Sequence, residues 1–261
     1  MTTLVFRFFI FWYICGLILL TFDLLPVWLE WANTVFLLTA GGIAGIYFTQ
    51  LYGYLKGIFY SVCIIIISMY VEHLGVTYNF LFGSYEYGNN FGLKLFDTPI
   101  TIGFAWLLVI GCSHELARGI TLAFKQKKRR MNFVLIAGLI TVTMDLILDP
   151  VAYRIKHYWI WEDTGSYYGI PISNFTGWFL LACLLHGLSL FFLKEKRSAG
   201  QLWERRMQLT FGLINLMFIT IALTGKLYLA ALLVGLLTVF WYSLYYWRVR
   251  TYAQDKEKLG D

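Results

Sequence analysis

Two aspartates, Asp145 and Asp149, stand four residues apart in the stretch MDLILDP, at the end of a run, MNFVLIAGLITVTMDLILDP, that is otherwise apolar. Residues four apart share one helix face and lie about 6 Å apart along its axis. Both carboxyls therefore point the same way, with Asp145 one turn deeper. Two neighbouring carboxyls in a low-dielectric setting do not readily ionise together, so one is expected to hold a proton beside a charged partner. That is a general acid next to a potential general base. Alternatively, Asp149 caps or ends the helix before Pro150 while Asp145 pairs with a polar group on another helix. Ionisable groups at membrane depth are functional candidates by default, which favours the first reading for Asp145. Glu72 closes another apolar run and is a third candidate; its alternative is a solvated carboxylate at a loop edge.

His114, Glu115 and Arg118 lie inside a further apolar run. Arg118 follows Glu115 by three residues, the spacing of a helical ion pair, so a satisfied structural pair is the favoured reading. His186 stands alone in its run and reads as a hydrogen-bonded contact between helices. No HxxH or HxxxH spacing occurs, which argues against a zinc or di-iron site. Neither a metal nor a cofactor is expected, since GxGxxG, P-loop, GxSxG and CxxC patterns are also absent. Cys15, Cys63, Cys112 and Cys183 fall singly in different apolar runs and read as free core thiols.

Such residues must be positioned by membrane helices. Hydrophobic residues make up 59% of the 261 and charged ones 14%, with a mean hydropathy of +0.65, a balance that soluble domains rarely show. A bilayer crossing takes about 20 apolar residues. Eight such runs are expected, near 4–21, 34–51, 57–71, 98–122, 132–148, 174–193, 208–223 and 227–247. The expected fold class is an all-α polytopic membrane helix bundle of about eight transmembrane helices. It forms one integral membrane domain over 1–261, with a motif-bearing core at 72–178. No small-residue cleavage site follows the first run, so it is expected to stay as a helix.

The net charge of +6 comes from clustered basic residues: KQKKRR (125–130), KEKR (194–197) with Arg205 and Arg206, and Arg248, Arg250, Lys256 and Lys258. With Arg7, Lys56 and Arg118, they fall on one side of an eight-helix bundle. By the positive-inside rule the chain is a multi-pass cell-membrane protein with both termini cytoplasmic. The distribution speaks for topology and against a nucleic-acid partner.

Two segments on the opposite, outer side break the helical pattern, 72–99 and 149–171, both rich in Gly, Tyr, Trp and Asn. Long ordered connections between spanning helices tend to be functional. Each contains GSY (83–85 and 165–167), and each ends in a proline followed seven residues later by tryptophan: Pro99 with Trp106, Pro171 with Trp178. Proline suits a helix start. Each is preceded by a helix ending in acid, which suggests two related helix–loop–helix units facing one another. Tyr85, Tyr87, Tyr158, Trp159, Trp161, Tyr167, Tyr168, Trp106 and Trp178 gather there. They form either an interfacial belt or a pocket whose π faces stabilise a cation. Asn174, in the sequon-like NFT, lies too close to the bilayer for glycosylation and reads as a helix cap or as a polar group in a site.

EHLGVTYNFLFGSYEY (72–87), the helix start at Pro99 and Trp106, MDLILDPVAYRIKHYWIW (144–161) and YYGIPISNFTGW (167–178) resemble the carotenoid biosynthesis membrane protein family. That family includes carotenoid hydratases of the gamma-carotene 1'-hydroxylase and bisanhydrobacterioruberin hydratase type. The likeness covers roughly 72–178, and the first two and last two helices carry nothing diagnostic. It implies hydration of a terminal double bond of a linear carotenoid to a tertiary alcohol, a cofactor-independent hydro-lyase reaction.

The chemistry needs a strong acid, a holder for the tertiary cation and a base for water. The expected roles are Asp145 as proton donor, Asp149 as its partner, and Glu72 as orienter or base for the water. Asn174 would position that water, and Trp161, Trp178, Tyr85 and Trp106 would line the substrate. The polyene would come in laterally from lipid, and other pathway enzymes are conceivable partners. A membrane carotenoid cyclase or isomerase would begin with the same protonation. A transporter is a rival of another class, though it leads one to expect helix breaks near the midplane, and no span is expected to be interrupted by proline.

Overall fold

The computed structural model describes residues 2–22, 24–29, 31–88, 92–124, 126–193 and 198–259. Among them, eight helices are long and apolar enough to cross a bilayer: α1 (Thr2–Thr21), α2 (Trp31–Tyr52), α3 (Tyr54–Tyr78), α4 (Ile100–Thr121), α5 (Gln126–Arg154), α6 (Ile172–Phe192), α7 (Gln201–Thr224) and α8 (Tyr228–Leu259). Large apolar side chains such as Phe11, Ile66, Leu232 and Leu236 are exposed around the bundle, as lipid-facing positions must be. This is a multi-pass membrane protein with an all-α bundle.

The central helix is α4, buried along nearly its whole length. Small residues let α2 lie close against it. A Cβ on Gly41 would come within 2.7 Å of the Phe104 carbonyl, and one on Gly111 within 2.6 Å of Ala44 Cβ. Close backbone approach through small residues is the usual way membrane helices gain packing without a hydrophobic driving force between them. At one end of the bundle Arg118 pairs with Glu204 at 2.5 Å, Arg206 donates to Thr3, and Arg248 donates to the Ile120 carbonyl. Basic residues thus gather at that end, although Lys125 and 194–197 lie outside the described residues.

The opposite end carries the irregular segments, shaped by four short strands: β1 (Tyr85–Tyr87), β2 (Lys94–Leu95), β3 (Thr98–Pro99) and β4 (Trp159–Trp161). Strands β2 and β3 form a small hairpin leading into α4. Strand β1 pairs antiparallel with β4, placing Tyr85 opposite Trp161 and Tyr87 opposite Trp159. The two irregular segments therefore do face one another. The pairing sets YEY against WIW, however, so the two GSY stretches do not correspond; the second lies beyond β4, where Tyr167 bridges to Ile170. Pro99 and Pro171 sit at the N-caps of α4 and α6, with φ of −62° and −69°.

Two helices run further than their sequences suggest. Helix α3 continues past Glu72 to Tyr78 and ends where Asn79 takes a left-handed conformation, φ 54°, and returns its N–H to the Leu74 carbonyl. Helix α5 does not stop before Pro150; it passes through the proline to Arg154. A proline inside a helix leaves the carbonyl four residues earlier without its donor. That carbonyl belongs to Leu146, and the Tyr167 hydroxyl donates to it at 2.7 Å. Asp149 is thus a residue of the continuous helix rather than its terminator, and the expectation of no proline-interrupted span is corrected. Pro150 lies near the C-terminal end of α5, one turn from its last residue.

Candidate active site

Helix α3 brings Glu72 and helix α5 brings Asp145 and Asp149 beneath the β1–β4 ribbon, all three buried. Glu72 is not the solvated loop-edge carboxylate that one sequence reading allowed. Its Oε2 accepts from the Tyr85 hydroxyl at 2.5 Å and the Tyr87 hydroxyl at 2.7 Å, and its Oε1 from Trp106 Nε1 at 2.8 Å. Asp149 is held in the same fashion. Its Oδ1 accepts from Trp159 Nε1 at 2.6 Å and Trp161 Nε1 at 3.1 Å, and its Oδ2 from Asn174 Nδ2 at 2.6 Å. Each of these carboxylates thus collects three N–H or O–H donors, an environment that compensates a buried negative charge. The two sets of donors alternate along the paired strands: Tyr85 and Tyr87 point in from β1, Trp159 and Trp161 from β4. A strand's period of two puts such alternate residues on one face.

Asp145 is served differently. Asn174 Nδ2 donates to its Oδ2 at 3.0 Å, so one amide bridges both aspartates, while Asp145 Oδ1 is buried with no hydrogen-bond partner. Burial, followed by the charge of Glu72 and its hydrogen bond, raises the Tyr85 and Tyr87 phenols well above their usual range. Both therefore remain donors to Glu72.

A cavity of about 20 Å³ lies among Glu72, Asp149, Asn174, Tyr85, Trp161 and Trp178. That is room for about one water molecule. Trp106 and Trp178 stack beside it, ring centroids 4.3 Å apart at 26°. Trp159 and Trp178 also form part of the wall of a second, almost wholly apolar cavity of about 350 Å³, which Trp106 lines as well. The arrangement puts two fixed carboxylates on the wall of a space the size of one water, which is otherwise walled by π faces and borders an apolar chamber.

The structure thus brings together Glu72, Asp149, Asn174, Tyr85, Trp161 and Trp178 around the small cavity, with Trp106 bonded to Glu72 and Asp145 one helical turn behind. Asp145 is absent from the walls of both cavities. Tyr87 and Trp159, noted in the sequence only as members of the aromatic cluster, turn out to be direct donors to the acids. Phe82, also on the wall, carried no signal beyond its place in the loop.

The other buried polar residues form a separate network towards the basic end. Glu115 accepts from Tyr47 at 2.8 Å, Arg118 at 3.0 Å, Tyr245 at 3.2 Å and Gln208 at 3.3 Å. His114 meets Tyr52 and His186, and His186 meets Ser113. These are the satisfied ion pair and interhelical contact that their spacing suggests. No group of three or more metal-ligating side chains occurs among the described residues, and the four cysteines are free.

Comparison with known proteins adds three findings. A bisanhydrobacterioruberin hydratase of Haloarcula japonica is 31% identical over 130 residues, covering 46% of this chain and 40% of the relative. The chain therefore spans about two fifths of the length of the curated relative it matches. No solved structure matches it. The family model for carotenoid biosynthesis proteins matches residues 32–241, which takes in both carboxylate-bearing helices, the strand ribbon and most of the apolar chamber. The chain belongs to the carotenoid biosynthesis protein family.

Proposed function

We propose that the protein is a carotenoid hydratase that adds water across a terminal double bond of a linear carotenoid. The observation that carries this reading is the one-water cavity lined by both Glu72 and Asp149. Likeness to a protein named bisanhydrobacterioruberin hydratase supports it.

The pair Asp145–Asp149, bridged by Asn174, holds the proton, and Asp149 delivers it because Asp149 faces the cavity. This reverses the roles expected from sequence depth. The reason is hydrogen-bond capacity: after giving up a proton Asp149 still has three donors, whereas Asp145 would leave a buried oxygen with none. The proton forms the new C–H bond, and the tertiary cation is held by the π faces of Trp159, Trp161 and Trp178. Water in the small cavity forms the C–O bond and gives its proton to Glu72. Transfer from Glu72 back to Asp149 through the next water restores the starting state. No metal or redox group takes part in these steps. The same reading keeps both termini in the cytoplasm and the acid site at the outer face.

The test is co-expression with a pathway that makes lycopene. Hydration adds the mass of water to the extracted pigment, cyclisation adds none, and Asp149→Asn should abolish the gain. Pigment of unchanged mass from the wild type would refute the reading.

A further inference from the structure

The apolar chamber has a construction of its own. Its walls come from α1, α2, α4, α5 and α7, with Trp159 and Trp178 at the end shared with the acid site. Helix α1 buries Phe9 and Tyr13 in its first two thirds, but from Ile14 to its end it has no fully buried residue. That second part lies over the chamber, lining it with Cys15, Gly16, Leu19 and Leu20. Its packing against the core is partial, through half-buried Leu17 and Leu20. The volume, about 350 Å³, sits at the low end of small-molecule sites, which run from about 300 to 1,000 Å³. An acyclic end of a polyene fits in that space; the whole chain does not.

We propose that this chamber is the binding site for one acyclic end of a linear polyene, which slides in from the bilayer under the loosely packed second part of α1. The terminal double bond meets Trp159 and Trp178, and the rest of the chain stays in lipid. The identity of the chain rests on the hydratase reading; the position of the site and its portal rest on the walls just described. Gly16 offers a direct handle. A Cβ there meets no heavy atom within 4 Å, so a side chain on Gly16 starts in open space beside the chamber. Helix propensity also favours replacing glycine.

Full-length protein with Cys63, Cys112 and Cys183 replaced by alanine, reconstituted in phosphatidylcholine vesicles, leaves Cys15 as the one thiol for a membrane-permeant maleimide. The expected result is at least fivefold slower alkylation of Cys15 when the vesicles contain lycopene, with no change when extra phosphatidylcholine is added instead. In the otherwise unaltered chain, Gly16→Phe should cut lycopene retained through purification, and product formed, about tenfold at an unchanged melting temperature. Unchanged alkylation with lycopene while product still forms would overturn the proposal, as would equal protection by phosphatidylcholine, which would make the chamber a lipid site. Protection by lycopene with no product from wild type would uphold the binding site and remove the hydratase reading.

Discussion

Glu72 and Asp149 line the same small cavity, each accepting three hydrogen bonds from aromatic or amide donors on the β1–β4 ribbon and the neighbouring helices. The donors differ, two phenols and an indole for Glu72 against two indoles and an amide for Asp149. A further difference is Asp145, which stands one turn behind Asp149 and has no acidic counterpart one turn before Glu72, where Ser68 lies; on the proposed reading Asp149 is the acid and Glu72 the base.

Asp149→Asn keeps an oxygen for the Trp159 and Trp161 N–H groups but removes the transferable proton. Hydrated product should fall at least about 100-fold, the usual scale of a lost general acid. Helix content should remain at the wild-type level by circular dichroism. Asp145→Asn, acting through its neighbour, should cost less; a complete loss there with activity kept in Asp149→Asn would exchange the two roles.

Tyr167→Phe should destabilise the protein although the residue touches neither acid. It removes the donor that serves the Leu146 carbonyl, freed by Pro150. An unserved carbonyl at this position costs about 1–3 kcal/mol. Thermal unfolding in detergent would show it, and the C-terminal turns of α5, including Asp149, should exchange amide hydrogens faster.

Glu115→Ala separates structural from functional acids. Arg118, itself buried, loses the ion pair with Glu115 three residues before it on the same helix. Breaking a buried pair costs about 3–5 kcal/mol, so expression and melting temperature should drop. Product per folded molecule should stay near wild type, since the network lies at the far end of the bundle.

Tyr85 and Tyr87 predict an alkaline limit. Their phenols are raised in the folded protein by burial and by Glu72. A group raised on folding contributes stability that is complete below its unfolded value, about 10 for tyrosine, and is lost as pH climbs through the folded values. Stability should therefore be flat with respect to these groups up to about pH 10 and decline above it. Tyr85→Phe with Tyr87→Phe should remove that part of the decline, as measured by melting curves across alkaline pH.

Much of this was legible in the sequence. Apolar run lengths gave eight spans, and the four-residue spacing put Asp145 and Asp149 on one face. Pro99 with Trp106 and Pro171 with Trp178 marked the two helix starts, and these tryptophans stack. What was not legible depends on contacts between distant segments. Nothing in YEY or WIW says that they pair, so the donors to Glu72 and Asp149 could not be assigned. The extension of α5 through Pro150 depends on a tyrosine from the following loop. The chamber walls from α1, α2 and α7 left no mark, because side chains facing an apolar cavity and those facing lipid obey the same preference.

Conversion of a linear carotenoid by purified protein in water labelled with deuterium and heavy oxygen tests the central claim most directly. The account predicts one deuterium on carbon and one heavy oxygen per reacted end, and neither with Asp149→Asn. Deuterium without heavy oxygen would mean cyclisation or isomerisation, and pigment carrying neither label would contradict the acid–base account altogether.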